Sequence, residues 1–472
     1  MKARSWLQQA MVCAATVALV LGGCGGGVGS GGTGMASGVT QGTVNGFGSV
    51  LVDGDRFDDS GVAVFTEVAP GADAQTSARL GARVEVESEL GKARGLRLDA
   101  AVVGPVEVLR PDGFEVLGQV IRINADASRG PVTQFGRGYT GLASVRVGDA
   151  VEVHAFALRS ASGWSLQATR VEPRGAAPEF LKVSGLAAEV GPAGFRIGAL
   201  RVLTGGATLL PAGAELAEGQ AVSVLAPASS RLEVPGSGPQ VHAAQVRMRR
   251  LGAAGDEVAS SGLVGMLDQP PGTFDLGGLR VDYTQASVRP AASALMAGRY
   301  VQVRGTLRAD GTLRAESVRV LDGRGDAEAE LKGTVLGFDA NTLHFQVRGV
   351  DVDGTSAKFE GCPGGKPADG DFVEVAGRLG PTGVIAESVH CEDEPDDAVV
   401  ERKGTASDVD VEARQLTLTL SNGATLPVSW SDITYFENVS AATLAGQRVE
   451  VEGKLVDGVM QARKIEVETD DD

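Results

Sequence analysis

The residues that could bind a metal ion or act in catalysis are few and scattered along the chain. The histidines are His154, His242, His344 and His390. None of them stands at the H-x-x-x-H spacing or close to paired cysteines, as zinc sites require. His154 and His344 fall within alternating apolar patterns, so we predict that they are surface or partly buried strand residues. The sequence therefore predicts neither a metal site nor a cofactor.

One acidic run has the composition of an oxygen-rich cation site. His390 and Cys391 precede a series of acidic residues that extends from Glu392 to Asp397. An EF-hand loop needs alternating acids around a central glycine, which this run lacks. We interpret the run as a solvated acidic linker, and we interpret the acidic C-terminus in the same way.

Motifs of several enzyme classes are incomplete. The glycine-rich stretch from Gly361 to Lys366 lacks the spacing of a phosphate loop, and Pro367 stands where Ser or Thr would hold Mg²⁺. No G-x-S-x-G elbow of a serine hydrolase occurs. With 60 acidic residues, a choice of two carboxylates for glycoside hydrolysis would be arbitrary. We therefore predict that the protein is not an enzyme.

Acidic residues recur between valines in the later part of each repeat. Because neighbouring strand residues point to opposite faces, these acids are predicted to point outward, where they add solubility and protect strand edges. They are Glu85, Glu152, Glu374 and Glu450.

The N-terminus has the layout of a secretory signal peptide. Lys2 and Arg4 precede an apolar run that is too short to span a bilayer. The run ends in Leu21-Gly22-Gly23-Cys24, which resembles the lipobox of bacterial lipoproteins. That resemblance implies cleavage before Cys24 and lipidation of its thiol, and Gly25 in place of aspartate implies the outer membrane. A buried cysteine at the end of an apolar helix is the alternative.

Composition after the signal peptide limits the partners. Residues 25–37 are nearly all glycine, serine and other small residues, which predicts a flexible tether. The formal net charge of the whole chain is −17. Nucleic-acid binding depends on lysine and arginine that displace counterions from phosphates, so we predict no nucleic-acid partner.

A pattern of short alternating strands repeats about six times. In the fourth repeat, an apolar strand, a Pro/Gly turn and two further alternating runs extend from Gly262 to Val281, and a hairpin follows from Tyr300 to Val320. Strict alternation bounded by Asp-Gly and Gly-Gly predicts strands and hairpins. Each repeat is thus a three-strand meander, a gap that holds at most a short helix, as at Ala291 to Met296, and a hairpin.

Closure of each repeat into a barrel would remove most of its exposed edges. The predicted fold class is all-β: about six tandem, five-stranded, OB-like Greek-key barrels with little helix. An open array of β-sandwiches is the alternative. Repeats one and two follow each other without a joint at Ala101 to Val103, so we predict a rigid contact between them.

The first repeat also resembles a known family. Its opening, Gly42-Thr43-Val44-Asn45-Gly46-Phe47-Gly48-Ser49-Val50, and its later Leu80-Gly81-Ala82-Arg83-Val84-Glu85-Val86 resemble the bacterial DUF5666 family of predicted secreted proteins and lipoproteins. The resemblance is closest in repeats one and two. It implies no catalytic residues, because the family assigns none.

These patterns divide the chain into eight segments. We predict a signal peptide at 1–23, a tether at 24–37, and repeats at 38–103, 104–178, 179–255, 256–327, 328–397 and 398–472, the last with the acidic tail.

A disulfide between Cys362 and Cys391 is predicted for the fifth repeat. After cleavage before Cys24 and lipidation these are the two remaining thiols, and an exported protein meets an oxidising compartment. In OB-folds the third and fifth strands run parallel, and each cysteine directly follows one of these strands. Two free thiols, or a metal pair with His390, are the alternatives.

The sequence favours a non-enzymatic cell-envelope lipoprotein that acts as a binding or scaffold module. Its predicted partners are the membrane, through the lipid anchor, and an envelope protein or glycan. A carboxylate-dependent polysaccharide-acting enzyme and an acidic calcium-dependent adhesion protein remain as alternatives. Only 3 Trp and 4 Tyr occur; clustering of Trp164, Trp430, Tyr283 and Tyr435 in one groove would favour a glycan site, whereas scattered aromatics would favour a scaffold.

Overall fold

A computed structural model of the chain describes most residues from Ser37 to Val467. The described ranges are 37–59, 62–89, 91–136, 138–160, 163–270, 272–321, 329–391, 399–420, 423–431, 434–437, 439–456 and 459–467. Cys24, the predicted signal peptide, most of the predicted tether and the acidic run from Glu392 to Asp397 lie outside them.

Strands form wherever apolar and polar residues alternate, and glycine turns separate them. In β6, for example, Val84 and Val86 are buried, whereas Glu87 is exposed. This period of two places one face of each strand in a core and leaves the other face outward.

The first three barrels use the strands β1 to β22. Barrel 1 contains β1 (Ser37–Phe47), β2 (Val50–Val52), β3 (Asp55–Phe57), β4 (Val64–Ala69), β5 (Ala72–Thr76), β6 (Arg83–Glu89) and β7 (Lys92–Leu98). Barrel 2 contains β8 (Val102–Arg110), β9 (Gly113–Val116), β10 (Gln119–Ile123), β11 (Gln134–Phe135), β12 (Ala150–Ser160) and β13 (Gly163–Pro173). Barrel 3 contains β14 (Phe180–Leu186), β15 (Ala188–Gly191), β16 (Gly194–Ile197), β17 (Leu200–Leu203), β18 (Thr208–Leu210), β19 (Ala221–Pro227), β20 (Leu232–Val234), β21 (Gly238–His242) and β22 (Gln245–Met248).

The last three barrels use the strands β23 to β40. Barrel 4 contains β23 (Glu257–Asp268), β24 (Thr273–Leu276), β25 (Leu279–Asp282), β26 (Ser287–Arg289), β27 (Tyr300–Leu307) and β28 (Leu313–Val320). Barrel 5 contains β29 (Ala329–Leu336), β30 (His344–Val347), β31 (Val350–Asp353), β32 (Lys358–Glu360), β33 (Phe372–Leu379) and β34 (Gly383–Cys391). Barrel 6 contains β35 (Val399–Asp410), β36 (Gln415–Leu420), β37 (Thr425–Ser429), β38 (Tyr435–Glu437), β39 (Arg448–Val456) and β40 (Val459–Val467).

Each barrel closes in the same way. In barrel 4, β23 pairs antiparallel with β24 and β27, β24 pairs with β25, and β25 and β26 pair in parallel with β28, which returns to β27. Barrel 5 repeats this order from β29 to β34. The predicted meander, gap and hairpin, and the closed five-stranded barrel, are therefore confirmed. The open-sandwich alternative is wrong, because the parallel pairing of the third and fifth strands closes each sheet.

Helix is restricted to single turns within the described ranges. The 3-10 turns are Ala127–Arg129, Leu142–Ser144, Ala228–Ser230, Ala292–Ala294, Pro363–Gly365 and Ala441–Thr443. The turn at Ala292–Ala294 lies where the sequence allowed a short helix. Barrel 1 differs, since its gap holds the extra strand β5, which pairs antiparallel with β4. No helix in the described part of the chain is long and apolar enough to cross a membrane.

Barrel 1 also contacts barrels that are distant in sequence. The first half of β1 pairs in parallel with β23 of barrel 4, and its last residues pair in parallel with β29 of barrel 5. Barrel 2 joins barrel 3 through β8 and β14. Between barrels 1 and 2, the Ala101 N–H donates to the Val153 carbonyl over 2.8 Å. Barrel 1 is therefore the element around which barrels 2 to 5 are arranged.

Candidate functional site: the polar junction around barrel 1

The structure brings the two cysteines of barrel 5 together. Their sulfur atoms lie 2.04 Å apart and their Cα atoms 4.8 Å apart. The cause is the parallel pairing of β32 with β34, which sets Glu360 opposite His390, so that the chain reaches Cys362 and Cys391 on the same side. The oxidation state of the pair stays a prediction.

A buried network of polar side chains occupies the interface of barrels 1 and 4, which we call the polar junction. Its centre is Asp53, which is 2% exposed. Asp53 accepts hydrogen bonds from the backbone N–H of Thr43 (2.7 Å), from the Tyr300 hydroxyl (2.8 Å) and from Ser261 Oγ. Charge-assisted hydrogen bonds of this kind are the strong ones. The carboxylate is thus saturated by donors from both barrels.

Arg83 places a buried positive charge beside Asp53. Its guanidinium donates to Thr43 Oγ1 over 3.1 Å, and to Ser261 Oγ and the Ser261 carbonyl over 3.2 and 2.9 Å. It also lies 5.9 Å from the ring centroid of Phe156 in barrel 2, and that ring packs against Tyr300. One arginine of barrel 1 therefore contacts both barrel 2 and barrel 4.

A second buried carboxylate, Asp55, faces barrel 4. It accepts from the Gln302 amide over 2.8 Å and forms an ion pair with Arg304. Burial raises the pKa of Asp55, and the charges of Arg304 and Arg319 oppose that rise.

A third buried carboxylate, Asp99, faces barrel 3. It accepts from Gln41 over 3.3 Å, lies 3.8 Å from Lys182 Nζ and pairs with Arg249. Burial alone would raise the pKa of Asp99, but the positive charges of Arg249, Lys182 and Arg83 outweigh it, so that the pKa lies below its ordinary value. Asp99 therefore stays ionised inside the interface.

His154 connects barrel 2 to the same region and is buried, at 2% exposure. The backbone N–H of Arg83 donates to Nδ1 over 3.2 Å, so the ring hydrogen lies on Nε2, which donates to Glu152 over 3.1 Å. Glu152 also pairs with Arg174. The sequence predicted a strand residue here, but not its inter-barrel hydrogen bond. His344 and His390 are exposed.

The acids between valines lie on the outer faces of the barrels, as predicted, but two of them are covered and do not serve as solvated surface residues. Burial opposes the ionisation of Glu152, yet its hydrogen bond with His154 and the charge of Arg174 lower its pKa to about 2. Burial raises the pKa of Glu85. Both acids lie on the outer face of a barrel, but neighbouring barrels cover that face. Glu374 and Glu450 are partly exposed and pair with Lys332 and Lys403 over 2.7 and 2.9 Å.

Glycines allow the barrels to approach this closely. A methyl group on Gly46 would overlap the Glu330 carbonyl oxygen of barrel 5. A methyl group on Gly81 would overlap the Thr169 carbonyl oxygen of barrel 2. Gly46 and Gly81, both in the motifs of the first repeat, are therefore interface residues.

A cleft lies where barrels 1, 2 and 5 meet, with a volume of about 720 Å³. Its walls include Arg79, Arg170, Glu172, Arg348 and Thr140. Arg79 and Arg170 both pair with Glu172, each over 2.5 Å. Guanidiniums from barrels 1 and 2 therefore hold Glu172 in place. In the described ranges, no group of three or more His, Cys, Asp or Glu side chains is arranged to hold a metal ion.

Sequence reasoning missed the polar junction. Asp53 and Ser261 were not singled out from the sequence, and Tyr300 was predicted only as the start of a strand. Their partners come from repeats far apart in the chain, and a single sequence carries no signal for that pairing. The one available sign in the sequence was the glycines of the opening motif, because glycine within a strand often marks a close approach of another backbone.

The fold and the junction define the class of protein: a tandem array of closed, five-stranded β-barrels held together by buried polar contacts. The chain matches the family described as Domain of unknown function (DUF5666) at residues 103–172, 261–319 and 403–466. Three regions of the chain, arranged in tandem, therefore match DUF5666 domains. The matched regions lie in repeats two, four and six, whereas the resemblance had been placed closest in repeats one and two. Repeat one, with its extra β5 strand, is outside the matched residues.

Several solved structures are similar to parts of the chain. The silver-bound CusF from Escherichia coli is 14% identical, covers 15% of this chain and 92% of its own, and has a TM-score of 0.13. The apo form of the same protein covers 16% of this chain and 96% of its own, at 14% identity and a TM-score of 0.14. The Drosophila Unr CSD456 structure is 15% identical, covers 46% of this chain and all of its own, and also has a TM-score of 0.14. At these scores the similarities carry no argument. No curated protein matches the chain.

Proposed function

We propose that this protein is a non-enzymatic cell-envelope lipoprotein, anchored through Cys24 to the outer membrane, whose barrels form a binding or scaffold module. The polar junction is the observation that carries the proposal. Asp53 and Arg83 of barrel 1 are buried charges whose hydrogen bonds reach Tyr300 and Ser261 of barrel 4, and breaking such buried contacts is costly, so the junction resists relative movement of barrels 1 and 4. A scaffold that presents a partner in a fixed geometry requires that resistance.

The aromatic residues favour a scaffold over a glycan-binding groove. Trp164 packs against the core of barrels 2 and 3, Tyr283 against the core of barrel 4, and Trp430 lies within the core of barrel 6. A sugar site would need several such rings on one open face. The side chain of Tyr435 lies outside the described residues.

The carboxylates support the non-enzymatic part of the proposal. Asp53 and Asp99 lie inside interfaces, where their oxygens accept hydrogen bonds from neighbouring barrels. In the cleft of barrels 1, 2 and 5, Glu172 is held by two arginines. A glycosidase needs two carboxyl groups that flank the bond to be cleaved, whereas these carboxylates are occupied by donors of the protein itself.

The experiment is site-specific photo-crosslinking in the native envelope. A photoreactive residue at Thr140, on the exposed wall of the cleft, is expected to capture one defined envelope protein or glycan. The same residue at Glu215, an exposed position of barrel 3, serves as the matched control. Capture of the same set of neighbours at both positions, or of none at either, would contradict a specific binding role.

Anchoring is tested separately with Cys24→Ser. We expect this variant to leave the membrane fraction, because the thiol that accepts the lipid is gone. Continued membrane association, with processing at the same place, would contradict the lipid anchor.

A further inference from the structure

A small cavity lies where barrels 1, 2, 3 and 4 converge. Its volume is about 70 Å³. Residues of all four barrels line the cavity. Barrel 1 contributes Arg83, and Asp99 follows its last strand. Barrel 2 contributes Trp164, barrel 3 contributes Ser184 and Arg249, and barrel 4 contributes Ser260. A water molecule needs about 10 to 15 Å³ of such space, so the cavity has room for a molecule of a few heavy atoms.

Two polar atoms of the lining have no hydrogen-bond partner within the described part of the protein. They are Trp164 Nε1 and Ser184 Oγ, and both are buried. The indole N–H can only donate a hydrogen bond. A buried donor without a partner is costly, so the lining favours a molecule that accepts hydrogen bonds.

The charges of the lining have a positive balance. Arg83 and Arg249 face the cavity together with a single carboxylate, Asp99. That carboxylate already accepts from Gln41, pairs with Arg249 and lies 3.8 Å from Lys182. The charge of Asp99 is therefore compensated by neighbouring cations, so that it does not exclude an anion from the cavity.

A wider cleft of about 490 Å³ adjoins the cavity on the side of barrels 1, 3 and 4. The two share Gln41, Arg249 and Ser260 among their lining residues. Arg250 and Arg308 add further positive charge to the cleft, opposite Glu85 and Asp310. This cleft offers a route from solvent to the cavity.

We propose that this cavity binds a small monovalent oxyanion of about the size of formate, held by the Trp164 indole N–H, the Ser184 hydroxyl and the guanidiniums of Arg83 and Arg249. The anion joins groups from three barrels, so its binding stabilises the folded junction by mass action. The inference rests on the cavity and its unpartnered donors and does not depend on the proposed scaffold function.

The test measures the melting temperature of the mature full-length protein while sodium formate replaces sodium gluconate at constant ionic strength. Gluconate is too large for the cavity, so the exchange separates binding from a general salt effect. The melting temperature is expected to rise with formate and to reach saturation. Trp164→Phe and Ser184→Ala are each expected to raise the half-saturating formate concentration at least tenfold.

Matched controls exist within the chain. Trp430→Phe makes the same change in the core of barrel 6, and Ser223→Ala removes another buried serine hydroxyl without a partner, one that does not line the cavity. Both controls should respond to formate as the unaltered protein does. Calorimetric titration of folded Ser184→Ala, which loses one oxygen atom only, gives a second measurement of affinity.

Two results would overturn the proposal. One is a melting temperature that does not change with formate, which would mean that formate does not bind and that the cavity contains only ordered water. The other is an equal response of the unaltered protein, Trp164→Phe and Ser184→Ala, which would place any bound formate elsewhere.

Discussion

At the scale of single residues, this acidic protein holds several carboxylates in its interior. Asp53, Asp99 and Glu152 are each surrounded by donors that belong to a different strand or barrel. Removing one partner of such a buried contact is strongly destabilising, because the other partner stays buried without compensation. Single substitutions here should therefore have effects far above those of surface residues.

Asp53→Asn is expected to lower the free energy of unfolding by about 1.5 to 3 kcal/mol, because a neutral amide weakens the charge-assisted hydrogen bonds from Thr43, Ser261 and Tyr300. Chemical denaturation monitored by circular dichroism measures the change. The control is Asp112→Asn, which removes an exposed ion pair with Arg122 and should cost less than about 1 kcal/mol. Equal effects of the two variants would contradict the role of the junction.

Acid should weaken the protein through Glu152. Because the pKa of Glu152 is lowered to about 2 in the folded state, its contribution is fully present above the unfolded value of about 4.5 and is lost as the pH falls toward 2. Glu152→Gln is expected to be less stable than the unaltered protein by about 3 kcal/mol at pH 7, with a difference that shrinks below pH 4.5. The control Glu89→Gln removes an exposed pair with Arg94. A difference that stays constant between pH 7 and pH 2 would contradict this assignment.

The cysteine pair of barrel 5 is expected to be oxidised in the exported protein. Mass spectrometry of freshly isolated, non-reduced material should find no alkylatable thiol at Cys362 or Cys391. Because the two cysteines are separated by 29 positions in the sequence, Cys362→Ala should lower the stability of barrel 5 by about 3 to 4 kcal/mol in the chain-entropy model. Two alkylated thiols in the native protein would contradict the bridge.

At the scale of elements, the strand β1 has more neighbours than any strand of an isolated barrel could have. It pairs antiparallel with β2 and β6 within barrel 1 and in parallel with β23 and β29 outside it. Its glycines are the condition for these contacts, since a side chain at Gly46 would meet the backbone of barrel 5. The position of β1 among its neighbours therefore depends on residues without side chains as much as on its apolar residues.

Gly46→Ala is expected to push barrel 5 away from barrel 1 and to lower the melting temperature by several degrees, because the added methyl group meets a backbone carbonyl that cannot rotate away. Differential scanning calorimetry measures the shift. Gly175→Ala adds the same methyl group where no atom lies within 4 Å and should leave the melting temperature almost unchanged. A similar shift in both variants would contradict the close packing of β1 on β29.

The barrels could be predicted from the sequence, whereas their arrangement could not. Alternation such as Val449-Glu450-Val451, and turns such as Asp310-Gly311, depend on neighbours in sequence and therefore appear in it directly. The junction of Asp53 with Tyr300 and Ser261 depends on which outer faces meet. The sequence pattern of a glutamate between valines is the same in two different situations. The outer face of the barrel can meet water, as predicted for Glu152, or another barrel, as found.

At the scale of the whole molecule, the barrels are joined to different degrees. Barrels 1, 4 and 5 share one hydrogen-bonded sheet, and strands of barrels 2 and 3 share another. The described strands of barrel 6 pair only among themselves. Barrel 6 touches barrel 1 through the side chains of Arg414 and Ser77, which lie 3.5 Å apart. Cooperativity should follow these connections.

Calorimetry of the mature chain is accordingly expected to resolve two transitions, one for barrels 1 to 5 together and one for barrel 6. Mild proteolysis should separate barrel 6 by cutting between Glu392 and Asp397, outside the described residues, before it cuts within β39. A single transition for all barrels, or an early cut between Arg448 and Val456, would contradict this division.

The pairing of β1 imposes an order on how the molecule can be completed. Val39 pairs with Val258 and Gly46 with Glu330, so a ribosome that has just made barrel 1 must still make barrels 2 and 3 before the first of these distant partners exists. During that interval β1 is paired with β2 and β6 of barrel 1. The backbone groups of β1 that later pair with β23 and β29 have no partner strand. Such edges attract the strands of other chains. Strand β1, which the finished molecule covers best, is therefore the segment that must be kept from pairing with other chains for the longest time during synthesis.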